Sequence, residues 1–376
     1  MPNPKHITER IFQSPSKYIQ GPNAIKNAAK YLETLGRTPL LAVDNIVYEI
    51  AGKNLIAALE AENFKVTRVE FGGEASAQEI DRLADIGKSH NVDFVIALGG
   101  GKTIDTAKAV ADKLGLLAAV LPTTASTDAP CSALSVIYTP HGAFESYRFY
   151  SKNPAIVLVD TSVVVKAPPR FLAAGIGDAL ATNVEARRSK TSPNFGGLLP
   201  TEVSEAICTK CEEILFKYGK QAYEANKAKA VTPAFEAVVE ANTLCSGLGF
   251  ESGGLAAAHA IHDGFTSIHA MHGLMHGEKV AFGIVCQLIL DGASQDELDR
   301  YIELMLSVDL PVTFAQLGIP NVTDDEVRGV AKLATQPNET IWNMERAISE
   351  EIVFNAIKGA NAASESYIKR TGWKKQ

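Results

Sequence analysis

The sequence predicts an α/β N-terminal domain built on a parallel sheet, joined to an all-helical C-terminal domain. Three observations lead there. Short Val, Ile and Leu runs alternate with amphipathic stretches through the first part of the chain, such runs vanish after Ala167-Pro168-Pro169, and Ala-, Leu- and Glu-rich helical stretches then continue to the end. Apolar runs alternating with helical periodicity are the pattern of βαβ units. A chain of 376 residues also exceeds one ordinary domain, which fits two, residues 1–167 and 168–376.

In order, the alternation reads as Pro39 to Asp44 followed by a helix from Val47 to Glu62, Lys65 to Phe71 followed by Ala77 to His90, and Phe94 to Leu98 followed by Thr103 to Leu114. Further strands are expected at Ala118 to Leu121, Ala133 to Thr139 and Ala155 to Val159, with the turn Thr139-Pro140-His141-Gly142 closing a hairpin. A helix–sheet domain beside a helical one places ligands at the domain interface and at the carboxyl ends of parallel strands, so the motifs below are expected to converge on that cleft.

Composition narrows the function. The chain is 46% hydrophobic and 21% charged, which excludes disorder, and its net charge is −7 with no basic block beyond Lys374 and Lys375. The cationic footprint that nucleic acid requires is missing. Met1 to Gln20 lacks the apolar core of a signal peptide, and no run approaches the ~20 apolar residues that span a bilayer. A cytoplasmic protein acting on small molecules is expected. Five cysteines, an odd number, read as reduced thiols. Cys208 and Cys211 form a CxxC within a helical stretch from Glu202 to Tyr218 and read as two core thiols sharing one face.

The segment Leu98-Gly99-Gly100-Gly101-Lys102-Thr103-Ile104-Asp105 follows an apolar strand and opens a helix, where backbone N–H groups and the positive helix end hold phosphate. It is neither a Walker A loop, which needs glycine at Ile96, nor a GxGxxG fingerprint, which needs it at Ile104. Asp44 closes an apolar run. It is either a ribose-hydroxyl acceptor that favours NAD over NADP or a helix N-cap. Pro122-Thr123-Thr124-Ala125-Ser126-Thr127-Asp128 is dense in groups that bind a cofactor or a polyol, and equally resembles an ordinary turn.

Five of the eight histidines crowd into one segment, as His259, His262, His269, His272 and His276. His259 and His262 sit one helical turn apart, and His276 precedes another helix from Lys279 to Leu290, so two helices can present imidazoles to one point. Imidazole suits zinc, iron, copper and nickel, and a catalytic zinc commonly takes three protein ligands. Asp178, in Gly175-Ile-Gly-Asp178, is the candidate third ligand. Its alternative role is a first-turn carboxylate favoured by the helix dipole.

Gly99-Gly-Gly-Lys-Thr-Ile-Asp105, the Pro122 to Asp128 loop, Gly175-Ile-Gly-Asp178, Gly254-Leu-Ala-Ala-Ala-His259-Ala-Ile-His262 and His276-Gly-Glu-Lys-Val280, in this order, make the chain resemble the glycerol dehydrogenases of the iron-containing alcohol dehydrogenase superfamily. The resemblance runs from about Pro15 to near the C-terminus. It implies a dehydroquinate synthase-like architecture, zinc on Asp178, His259 and His276, and NAD against Asp44, Gly101, Lys102, Thr123, Ser126, Ser132, Leu134 and Tyr138. It further implies that Asp128 contacts substrate hydroxyls, that His259 serves substrate and catalysis as well as metal, and that the chain forms a homo-oligomer, with a ring of eight as one form. Iron-using relatives carry a histidine four residues after the equivalent of Asp178; here that residue is Thr182, which favours zinc. His262 lines the site.

On this reading glycerol is oxidised to dihydroxyacetone, and related vicinal diols react likewise, by hydride transfer to nicotinamide C4 from a zinc-bound alkoxide. Dehydroquinate synthase, a lyase, and glycerol-1-phosphate dehydrogenase share the architecture but handle phosphorylated substrates. The stretch from Thr123 to Tyr147 contains no Lys or Arg, which counts against both.

Overall fold

In the computed structural model, residues 7–374 are described; residues 1–6 of the N-terminal segment and Lys375 of the basic tail lie outside the described residues. Among the described residues eight strands form: β1 (Lys17–Gly21), β2 (Pro39–Val43), β3 (Thr67–Glu70), β4 (Phe94–Gly99), β5 (Leu117–Pro122), β6 (Leu134–Tyr138), β7 (Phe144–Phe149) and β8 (Ile156–Asp160). Six make one sheet in the order β1-β8-β5-β4-β2-β3, with every pair parallel. Strands β2, β4 and β8 are buried along their whole length. Continuous apolar runs are what a parallel sheet covered on both faces requires. One face of the core is Leu41, Val43, Phe94, Ile96, Leu98, Leu121 and Leu158, packed on Leu32, Leu55 and Leu59.

The order of the strands creates a crevice. From β2 the chain moves outward to β3, whereas from β4, beside β2, it passes through α2 (Gly101–Leu114, after α1, Ala77–Ser89) to β5 on the opposite side. Connections leaving neighbouring strands in opposite directions open a ligand crevice at their carboxyl ends. Here those ends are Asp44 and Gly99–Gly101. The hairpin at Thr139–Gly142 forms as expected: β6 and β7 pair antiparallel, and Gly142 takes φ +81° in the turn.

Strand β1 was not anticipated. It pairs with β8 from Lys17↔Ile156 to Gly21↔Asp160 and is only half-buried, so it carries little apolar signature.

The contacts divide the chain differently from a single cut at 167/168. One compact unit is Gln13–Leu172 with Ala225–Gly247, and the other is Met1–Phe12, Ala173–Glu224 and Leu248–Gln376. The helices that follow include α3 (Pro169–Ala186), α4 (Glu202–Lys227), α5 (Pro233–Glu240), α6 (Ala257–Phe265), α7 (His276–Asp291), α8 (Asp324–Ala334) and α9 (Glu350–Thr371), with two more at Ser246–Gly253 and Gln295–Ser307. Residues 225–247 join the α/β unit because polar side chains tie them to β1 and to the segment that follows β8. Gln20 Nε2 donates to Glu236 O and Oε2 at 2.9 and 2.6 Å, Thr161 Oγ1 donates to Glu236 Oε1 at 2.6 Å, and Asn226 Nδ2 donates to Val165 O at 2.7 Å. Glu9 and Ile11 go with the helical unit through backbone bonds to Leu199.

Within the helical unit α7 is buried almost throughout and packs against α6 and α9. Two of its glycines let neighbouring backbones touch it. A Cβ on Gly277 would lie 1.8 Å from Ala174 O of α3, and one on Gly283 would lie 2.3 Å from Ala258 O of α6. Cys208 and Cys211 are buried core thiols whose Sγ atoms donate to Gly249 O and Ala179 O, each at 3.6 Å. No helix among the described residues is long and apolar enough to cross a membrane.

Candidate metal centre and dinucleotide crevice

Asp178, His259 and His276 come together in the helical unit, their ligand atoms all within 4.8 Å of one another. The helix crossings put them there. Gly177 and Gly277, each next to a candidate ligand, form the α3–α7 contact, and Ala258, next to His259, touches Gly283. His259 Nε2 lies 3.3 Å and His276 Nε2 3.1 Å from Asp178 Oδ1, and Asp178 is 1% exposed.

The second nitrogen of each ring decides what the first can do. His259 Nδ1 is 2.6 Å from Glu185 Oε2, and Glu185 Oε1 also accepts the N–H groups of Ala256 and His259 at 2.9 and 3.0 Å. A buried carboxylate on Nδ1 keeps the proton there and turns the Nε2 lone pair to Asp178. On the other side His262 Nδ1 lies 2.9 Å from Asp263 Oδ1, and His262 Nε2 lies 3.1 Å from His276 Nδ1. Burial pushes the His262 pKa down to about 4, so His262 is neutral at ordinary pH. It donates to Asp263 through Nδ1 and accepts from His276 Nδ1–H through Nε2, which leaves His276 Nε2 as a lone pair as well.

Two lone pairs and a carboxylate oxygen thus face one another across 3.1 to 3.3 Å. Acceptors meeting acceptors in a buried place need a cation between them or extra protons on the rings. The electrostatics agree. Against the cost of burial, Glu185 and Asp178 hold the His259 pKa well above its ordinary value, and against the same cost His276 and His259 hold the Asp178 carboxyl far below its own. The donor set, two imidazoles and one carboxylate, fits a catalytic divalent cation with an open position. Thr182, one turn from Asp178 on α3, is buried and brings no further nitrogen. His269 and His272 meet edge to face with ring centroids 4.9 Å apart, and His272 Nε2 bonds to Thr266 O.

Glu185 and Asp263 were missed from sequence. Glu185 had a usable signature: Asp178, Thr182 and Glu185 follow one another at i, i+4 and i+7, one face of a single helix. Asp263 directly follows His262, which sequence placed at the site without a partner.

In the α/β unit, α2 begins at Gly101, and no side chain caps it at Gly100. Its first-turn N–H groups therefore point into the crevice with the helix dipole behind them, ready for an anion. Thr123 N donates to Gly99 O at 3.0 Å, which holds the hydroxyl-rich loop beside the glycines. Thr123 and Ser126 are buried, and Ser126 Oγ bonds to Thr124 Oγ1 at 3.1 Å. Lys102 Nζ pairs with Glu74 at 2.5 Å and lies 5.5 Å from the Tyr138 ring centre, so the glycine loop and β6 share a cation. Asp44 caps the next helix: its Oδ1 accepts Val47 N at 2.8 Å, so the capping alternative is realised at that oxygen. Asp128 Oδ2 accepts from Ser246 Oγ at 2.9 Å.

Comparison with known proteins places these observations. Residues 15–161 match the sequence profile described as iron-containing alcohol dehydrogenase. The chain is 45% identical to glycerol dehydrogenase of Thermotoga maritima over 94% of its own length and 97% of the relative's. It is 42% identical to glycolaldehyde reductase of Halobacterium salinarum over 93% and 97%. The crystal structure of glycerol dehydrogenase from Schizosaccharomyces pombe superposes with a TM-score of 0.95 at 42% identity, covering 98% of this chain and 94% of that one.

Proposed function

The chain belongs to the iron-containing alcohol dehydrogenase family, in its glycerol dehydrogenase branch, and from that premise we propose that it oxidises the secondary hydroxyl of glycerol to dihydroxyacetone with NAD, using zinc. The observation that carries the reading is the convergence of His259 Nε2 and His276 Nε2 on Asp178 Oδ1, each ring held from behind so that a lone pair faces inward.

Zinc on Asp178, His259 and His276 would supply Lewis acidity, lowering the pKa of the substrate hydroxyl. The absence of a fourth nitrogen at Thr182 supports zinc over iron. The rest falls to the chain's own groups. The uncapped start of α2 binds the pyrophosphate of NAD with Gly101 and Lys102. Thr123, Ser126, Ser132, Leu134 and Tyr138 hold the rest of the cofactor. Asp44 accepts a ribose hydroxyl, its second carboxylate oxygen serving while Oδ1 caps the helix. Asp128, steadied by Ser246, accepts a substrate hydroxyl and so favours diols over simple alcohols. A homo-oligomeric, cytoplasmic enzyme completes the reading, and light scattering tests the assembly.

The test is NADH formation on chelated protein with zinc or iron(II) added back, across glycerol, 1,2-propanediol, ethanol, glycerol 1-phosphate and, in reverse, glycolaldehyde. Zinc-restored oxidation of glycerol and propanediol supports the proposal; turnover on none of these substrates defeats it.

A further inference from the structure

We propose that Lys108 and Asp105 are positioning residues for the dinucleotide: a buried ion pair on α2 that fixes residues 129–136, and with them Ser132, Leu134 and Tyr138, relative to the phosphate-binding start of the same helix. Both side chains are almost wholly enclosed, Lys108 at 4% and Asp105 at 6% exposure, and Lys108 Nζ lies 3.1 Å from Asp105 Oδ1.

The ammonium group is surrounded by acceptors from a single stretch of chain. It donates to Ala129 O at 3.0 Å, to Ser132 O and Oγ at 3.4 Å each, and to Leu134 O. Asp105 continues the clamp: its Oδ2 accepts Val136 N at 3.2 Å, and its backbone carbonyl accepts Ser135 Oγ at 2.8 Å. One turn of α2 thus engages residues 129, 132, 134, 135 and 136. The preceding turn carries Gly101 and Lys102, and Tyr138, at the end of the clamped strand, returns over Lys102.

Stability alone does not call for this arrangement, since a buried ion pair can often be replaced by apolar residues of similar size with little loss. What an apolar pair cannot do is bind three carbonyls of the segment that leads into β6 and so define where its side chains sit. Ser132 and Leu134 lie on that segment and Tyr138 at the end of the strand it opens, while the phosphate donors lie on the helix, so the clamp sets the spacing between the two halves of a cofactor site.

The inference rests on the reading of this crevice as the NAD site, and the experiment separates the two. NADH affinity is measured by fluorescence on the metal-loaded wild type, on the double variant Lys108→Met with Asp105→Asn, which leaves no lone buried charge, and on Asp105→Asn alone, which is isosteric. The double variant is expected to keep its zinc and its KM for glycerol within twofold while Kd for NADH and KM for NAD rise at least tenfold, with Asp105→Asn intermediate. A merely structural pair would shift the thermal midpoint without that split. If the double variant fails to fold, Asp105→Asn decides. A folded variant binding NADH within twofold of wild type overturns the inference, and wild type that binds no NADH overturns the underlying NAD reading with it.

Discussion

Replacing Glu185 by Gln should weaken zinc binding about 10- to 100-fold without unfolding the protein. Glu185 is fully buried and accepts three hydrogen bonds, from His259 Nδ1 at 2.6 Å and from the backbone N–H groups of Ala256 and His259 at 2.9 and 3.0 Å. A glutamine has one oxygen to share among them. If that oxygen stays on the backbone donors, its NH2 group faces Nδ1 and drives the ring proton to Nε2, where the ligand lone pair is needed. If it turns to Nδ1, two buried N–H groups meet a donor, at about 1–3 kcal/mol each. The cheaper route matches the 10- to 100-fold loss typical when a carboxylate behind a ligating histidine is removed, or about 1.4–2.7 kcal/mol. The assay is competition for zinc against a chromophoric chelator, with circular dichroism to confirm the fold. Affinity should also climb with pH, because the site without metal keeps a proton on His259 that zinc must displace. A folded Glu185→Gln protein that binds zinc within threefold of wild type would refute the orienting role.

Three further outcomes follow from the geometry. Gly277→Ala places a methyl group 1.8 Å from Ala174 O, so it should cost at least the ~1–3 kcal/mol of an overpacked core and release zinc, read by denaturant unfolding and metal analysis; wild-type metal content would show that the α3–α7 crossing adapts. Glu339, through burial and then the Asp263 charge, has its pKa raised from 4.5 to about 7. The folded state therefore holds the proton more tightly than the unfolded one, and stability falls as pH climbs from about 4.5 to 7. Glu339→Gln should stabilise the protein by about 1 kcal/mol above pH 7, allowing for the group's partial exposure, with the gain gone by pH 4.5; an equal gain at both pH values would remove the titration argument. Asp128→Ala should lower kcat/KM for glycerol roughly tenfold or more and for ethanol far less, as expected when a group that binds a hydroxyl is lost; equal losses on both alcohols would remove its substrate role.

The sheet was legible because buried parallel strands write themselves as continuous apolar runs: Phe94–Gly99 and Ile156–Asp160 need no tertiary context to be seen. Strand β1 was illegible for the opposite reason, being half-buried and meaningful only through β8, well over a hundred residues later. The grouping of residues by contacts was hidden in a related way. The cuts at 172/173, 224/225 and 247/248 each fall inside a helix, where periodicity continues unbroken and composition gives no warning. At the candidate metal centre, scarcity made the histidines visible, and Asp178 stood out in Gly175-Ile-Gly-Asp178 as a candidate third ligand that the resemblance also implies. Glu185 and Asp263 stayed hidden because acidic residues are common on helices, and only the contacts show which of them stand behind a ring nitrogen.

The backbone contact of Gly177 with Gly277 bears on how such a centre is transplanted or inherited. Ligand spacing here is set where two main chains touch, not by the rotamers of long side chains, so the surrounding apolar residues are free to drift in identity without moving Asp178 or His276. The tolerance ends at the glycines themselves. A designer copying the two imidazoles and the carboxylate onto another helical scaffold would reproduce their arrangement only after reproducing that crossing, and a lineage that lost it would lose the arrangement with all three candidate ligands still in its sequence.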